Sequence, residues 1–99
     1  MFVYIWEFII KEDKRKEFLQ YYKPGGEWCN LFKKSDSYIK SELLNDKENS
    51  RRFISIDYWK SKELFDLYNK KYSKEYDMID KVCTNFTNSE KFIGYFECD

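Results

Sequence analysis

The chain has no histidine and no alanine, and only one proline and three glycines in 99 residues. Without histidine it lacks the commonest metal ligand, the usual haem ligand and the usual general base near neutral pH. Any catalysis must run on carboxylates, tyrosine, cysteine, lysine or the reactivity of the substrate itself. Neither sign of charge is in excess: 18 basic residues balance 18 acidic ones, so no strong field steers the protein toward phosphate backbones or anionic membranes. Cys29, Cys83 and Cys98 are odd in number and have no C-x-x-C spacing. That argues against a disulfide framework or a thiolate zinc site and fits a reducing cytoplasm. The apolar run at the N-terminus is too short to span a bilayer and has no basic residue ahead of it. It reads as a strand, not as a signal peptide or membrane helix. No linker, repeat or low-complexity segment divides the chain, so residues 1–99 read as one domain.

Large rings are what the chain has in abundance: nine Tyr, nine Phe and three Trp, or 21% of all residues. They suggest a core and a cavity lined by flat side chains. Eight of the nine residues Phe2 to Ile10 are apolar, with Glu7 the only charge. Alternation along a strand puts Phe2, Tyr4, Trp6, Phe8 and Ile10 on one face and Val3, Ile5 and Ile9 on the other. Both faces therefore call for cover, and a chain this short can cover one with its own helices but hardly both. Burying about five large side chains on the second face is worth on the order of 10 kcal/mol, against an association cost of about 4–15 kcal/mol. A homodimer sealed through its sheets is expected.

Beyond the first strand, Lys11 to Lys16 is a charged opening to a helix that buries Phe18, Leu19 and Tyr22 and stops at Pro24-Gly25-Gly26. Trp28, Leu31 and Phe32 share one face of a short second helix. Tyr38–Asn45 and Arg52–Trp59 read as strands joined by the polar loop Asp46 to Ser50. In the second of these, Ile54, Ile56 and Tyr58 alternate with Phe53, Ser55, Asp57 and Trp59. Ser61 is a plausible N-cap. Phe65, Tyr68, Tyr72, Tyr76, Ile79 and Cys83 follow at helical spacing, with a possible break and second cap at Ser73. Thr87 to Glu90 reads as the closing loop and Lys91 to Glu97 as the last strand, where Gly94 allows close approach of a neighbour. The order β-α-β-β-α-β predicts an α+β, ferredoxin-like split arrangement: a four-stranded antiparallel sheet with its helices on one face.

Gly26-Glu27-Trp28-x-x-Leu31-Phe32, Glu42-Leu43-Leu44-x-Asp46, Ile56-Asp57-x-Trp59-x-Ser61 and Thr87-x-x-Glu90-x-x-x-Gly94-x-Phe96 fall in order along nearly the whole chain. Together they resemble the antibiotic-biosynthesis-monooxygenase-like branch of the dimeric α/β-barrel superfamily. The resemblance implies the same split fold, a dimer whose two sheets form a barrel, and a pocket between sheet and helices. It also implies either cofactor-free oxygenation of anthrones or quinols, or haem degradation, or no known activity. The haem-degrading members use an Asn on the first strand and a His after strand three. Both are missing here, so haem degradation is not expected and no cofactor is implied.

A cofactor-free oxygenase needs a base, a dry aromatic cavity and donors for a developing oxyanion. With no histidine the base would be a carboxylate of raised pKa. Glu7, Glu42 and Asp57 lie within strands, where a buried charge is costly unless paired or protonated. Glu7 and Asp57 are the candidate catalytic groups, and if they share a face they could hold one proton between them. Each could equally be a satisfied structural carboxylate or part of a dimer-interface network. The candidate pocket lining is Trp6, Trp28, Phe32, Trp59, Phe65, Tyr68, Tyr72 and Tyr76, the competing reading being that the stripe Phe65, Tyr68, Tyr72 and Tyr76 is core and that Trp59 is a packing element. The expected partner is a second copy of the chain, with a small aromatic ligand, no nucleic acid and no membrane. Cys29 and Cys83 read as inert buried thiols. An RNA-recognition fold has the same element order. Against it, Arg52 and Ile54 stand where small residues belong, Ser55 replaces a stacking ring, and no basic surface is available. The two readings carried forward are a cofactor-independent monooxygenase of a small aromatic substrate and a non-catalytic ligand-binding or interaction protein of the same fold.

Overall fold

A computed structural model describes residues 1–98. The strands are β1 (Phe2–Ile10), β2 (Tyr38–Asn45), β3 (Arg52–Trp59) and β4 (Thr87–Glu97), and the helices are α1 (Arg15–Tyr22), α2 (Glu27–Phe32), α3 (Lys62–Lys71) and α4 (Ser73–Cys83). They form one sheet of order β2-β3-β1-β4 with every neighbouring pair antiparallel. This is the ferredoxin-like α+β arrangement expected from the element order.

Register fixes which side chains share a face. Opposite partners Phe2 and Trp59, Tyr4 and Asp57, Trp6 and Ser55, and Phe8 and Phe53 lie across β1 and β3. These residues face the helices: Phe2 and Tyr4 pack on Phe65 of α3, and Phe8 and Phe53 pack on Phe18 of α1. The core of this side is built from rings, with Trp59 and Phe18 fully buried. The opposite face carries Val3, Ile5 and Ile9 of β1, Ile54, Ile56 and Tyr58 of β3, Leu44 of β2 and Phe96 of β4, and no helix among the described residues lies over it. Leu44 and Phe96 are about half exposed there.

Ser61 caps α3, its side chain accepting from the Leu64 N–H at 3.2 Å, and Lys70 and Lys71 close the helix where cations suit its dipole. The ring-bearing stripe breaks at Tyr72, which leaves helical geometry at φ −111° and ψ 21°. Ser73 makes no cap bond; α4 begins directly, and the Tyr76 N–H still reaches the Tyr72 carbonyl at 2.9 Å. The last strand starts four residues earlier than its sequence suggests. Thr87, Ser89 and Glu90 pair with Ile10, Ile9 and Phe8, because an antiparallel partner already lies alongside and satisfies their backbone groups. Gly94 sits at a bulge where the β1–β4 register shifts between Ile5 and Trp6, and its φ of +153° is open to glycine and strained for other residues.

Candidate functional site

Between the helix-facing side of the sheet and α1, α2 and α4 lies a recess. β1 contributes Tyr4, Trp6 and Phe8, β3 contributes Ser55 and Asp57, β2 contributes Ser41, and β4 contributes Glu90. The helices contribute Tyr22, Trp28, Cys29, Phe32, Tyr76 and Asp80. The enclosed space is about 50 Å³, within a depression of about 540 Å³ counted out to solvent.

Asp57 is the polar centre of this recess. It is only 8% exposed, because β3 is an inner strand and its alternation turns Asp57 inward beside Phe53, Ser55 and Trp59. Ser41, directly opposite on β2, donates to Asp57 Oδ1 at 2.5 Å. Ser41 is in turn 2.7 Å from the Tyr38 hydroxyl, which reaches Cys29 Sγ at 3.3 Å. Burial pushes the Asp57 carboxyl up to about 6, and the Ser41 and Tyr4 hydroxyls beside it partly offset that by favouring the charged form. No cation is paired with it among the described residues. Tyr4, Tyr68 and Tyr76 surround the carboxyl, and burial, with Asp57 nearby, raises all three phenols far above their ordinary range. They stay protonated and can serve as hydrogen-bond donors.

Glu7 lies elsewhere. It sits opposite Ile54 on the face without helices, where its Oε2 accepts from Arg52 Nε at 2.8 Å and Nη2 at 2.7 Å. Arg52 also reaches Asp46 at 3.3 Å. Glu7 and Asp57 therefore occupy opposite faces of the sheet and share no proton, because adjacent antiparallel strands put Glu7 in register with Ile54 and Asp57 in register with Tyr4. Glu42, likewise on the open face, accepts from the Tyr58 hydroxyl at 2.5 Å.

Of the rings expected to line a pocket, Trp6, Trp28, Phe32 and Tyr76 do so. Trp59, Phe65 and Tyr68 are packed into the core beneath α3, with ring centroids 4.9–5.1 Å apart. Tyr72 packs against Tyr68, tilted, at 5.2 Å outside the recess. The alternative weighed in the sequence, that these rings are core, describes them. Sequence reasoning passed over Tyr4 and Phe8, although they share the parity of Trp6, and Ser55, which shares that of Asp57. Ser41, Asp80 and Glu90 carried no usable signal, since β2–β3 register and the place of α4 over the sheet decide their position. Cys83 is fully buried and its thiol is pushed up to about 11, too high to be a ready nucleophile. No helix among the described residues is long and apolar enough to cross a membrane.

No protein-family model matches the chain, and no curated protein matches it in sequence. Solved structures do match in shape. A conserved protein from Methanosarcina mazei Go1 superposes with a TM-score of 0.74 at 13% identity, over 99% of this chain and 92% of that one. An antibiotic biosynthesis monooxygenase gives 0.68 at 13% identity, over 100% and 99%. A provisionally named antibiotic biosynthesis monooxygenase from Nitrosomonas europaea gives 0.72 at 14% identity, over 99% and 98%. The chain thus has, over its whole described length, the fold of the antibiotic-biosynthesis-monooxygenase-like proteins that its motifs resemble. At such identities the likeness is one of fold.

Proposed function

We propose that the protein is a cofactor-independent monooxygenase acting on a small aromatic substrate in the recess, with Asp57 as its base. The observation that carries this reading is a buried carboxyl, free of any cationic partner and raised to about 6, facing a ring-lined space. A base near that value is largely ionised at neutral pH yet strong enough to take a proton from an activated substrate. Removing a proton from a CH₂ flanked by aromatic rings, or from a quinol, leaves an electron-rich anion that reduces O₂ directly. For the CH₂ case a C–O bond forms, the hydroperoxide gives up water, and a carbonyl remains. One oxygen atom stays in the product, the other leaves in water, and the substrate supplies all four electrons. Asp57 accepts the first proton and returns it to the departing oxygen, while the phenols of Tyr4 and Tyr76 donate to the developing oxyanion.

The enclosed space of about 50 Å³ is smaller than an aromatic ring needs, so the ring of a ligand would occupy the outer depression. A second reading, in which the recess binds a ligand without turning it over, stands beside the first. Oxygen uptake by metal-stripped protein on a panel of hydroquinones and anthrones separates them. Uptake above a boiled control, unaffected by chelators and absent from Asp57→Asn, is the expected result. Quenching of tryptophan fluorescence without uptake would favour the binding reading.

A second copy of the chain is the natural cover for the open sheet face. Eight apolar side chains sit on it, and its Glu7 is paired with Arg52, which also reaches Asp46. The expected mass by light scattering is twice that of the chain, and a monomer at micromolar concentration would overturn this assembly.

A further inference from the structure

The charges and rings of the recess are one-sided. The charged side chains that face it are all acidic: Asp57, Asp80 and Glu90, with no lysine or arginine among its lining residues, although the chain as a whole is electrically balanced. Asp80 and Glu90 make no ion pair among the described residues. Both are raised, chiefly by burial, with the Asp80 charge adding to the effect on Glu90.

Seven aromatic rings also line the recess, and their faces are electron-rich. Among the described residues, five lysine or arginine side chains lie over rings elsewhere, on Phe53, Tyr58, Tyr72 and Tyr95, and none lies over a ring of the recess.

We propose that this recess recognises a protonated amine: a small organic ammonium group held against the ring faces, with Asp57 at its inner end and Asp80 and Glu90 nearer solvent. An inorganic cation fits less well, since no group of three or more carboxylate or thiolate side chains among the described residues is placed to hold a metal ion. The 50 Å³ of enclosed space accommodates a head group of this size, leaving the rest of the ligand in the outer depression. The inference rests on the recess being the ligand site. If that site is catalytic, the substrate class narrows to aromatic compounds bearing a basic nitrogen.

Three one-ring probes of the same shape test it: tyramine, uncharged para-ethylphenol and anionic para-hydroxyphenylacetate, each titrated against the fluorescence of Trp6 and Trp28. Tyramine should bind about tenfold tighter than para-ethylphenol, and the anion should bind weakest. In the double variant Asp80→Asn, Glu90→Gln, checked for folding by its melting temperature, the ratio of amine to phenol affinity should fall several-fold. Equal affinity for amine and phenol, or preference for the anion, would overturn the ammonium inference and leave an aromatic ligand site standing. Amine binding together with no uptake on the hydroquinone and anthrone panel would keep the inference and remove the catalytic reading. Failure of all three probes to quench would overturn both.

Discussion

Asp57 and Glu7 are carboxylates on neighbouring strands of one sheet, and the two faces treat them oppositely. On the open face Glu7 has a guanidinium at 2.7 Å and its charge is fully answered. On the helix face Asp57 has only hydroxyl groups to hold it, rings on every side, and a proton affinity raised to about 6. The same contrast runs through the packing. Rings interlock beneath the helices, while the open face is mostly aliphatic and half finished. One face is a ring-packed interior around a buried carboxyl with no cationic partner among the described residues, and the other is a surface whose apolar area still lacks cover. A buried carboxyl held only by hydroxyl groups, with its proton affinity raised, is where function is sought.

The largest effect separating the faces should come from truncating the ring core. Trp59→Ala removes a fully buried indole and should cost about 3–5 kcal/mol in urea unfolding. Ile56→Ala, on the open face, should cost clearly less when measured on dilute protein. A loss as large from Ile56→Ala would mean that the open face is as much an interior as the other. Its partner experiment is Ile56→Glu, which should leave the secondary structure intact and halve the mass seen by light scattering.

Next in size is the pH dependence carried by Asp57. Its carboxyl lies near 3.8 when unfolded and about 6 when folded, so between those values the folded state holds the extra proton. Its contribution to stability is therefore fully present below about pH 4 and is lost as pH rises through 6, amounting to about 3 kcal/mol at 1.36 kcal/mol per unit. Asp57→Asn keeps an acceptor for Ser41 and should remove this fall, leaving the variant more stable than the parent at pH 7 and inactive in oxygen uptake. A variant that instead unfolds more easily at pH 7 would show that the carboxylate is a structural anchor.

Much of the fold was legible in the sequence because period-two alternation in β1 and β3 is strong and the turns are marked by Pro24-Gly25-Gly26 and Asp46 to Ser50. The face of every residue in β1 followed from parity alone. The pairing of faces between strands did not, because parity says which residues of one strand travel together and nothing about which residue of the next strand stands opposite. That is why Glu7 and Asp57 could be imagined sharing a proton. The helix stripe had a similar limit. Phe65, Tyr68, Tyr72 and Tyr76 share a helical face, but the break at Tyr72 turns α4 so that Tyr76 reaches the recess while Tyr68 is driven into the core. Asp80 and Glu90 come to the rim from α4 and from the early-starting β4, and no local pattern marks either.

The smallest effect should come from Glu7→Gln. The bond geometry with Arg52 is good, but the guanidinium is about a third exposed, so solvent already screens the pair and ordering two long side chains offsets part of the gain. Replacing the carboxylate leaves an amide oxygen able to accept from Arg52, and Asp46 remains as a second anion for the guanidinium. The midpoint of urea unfolding should shift less than in any variant above, and the shift should shrink further in molar salt, where charges more than about 3 Å apart are screened. Oxygen uptake should be unchanged, since the side chain lies on the far side of the sheet from the recess. Loss of uptake in a folded dimer would place Glu7 within reach of the chemistry after all and would end the division of labour between the two faces.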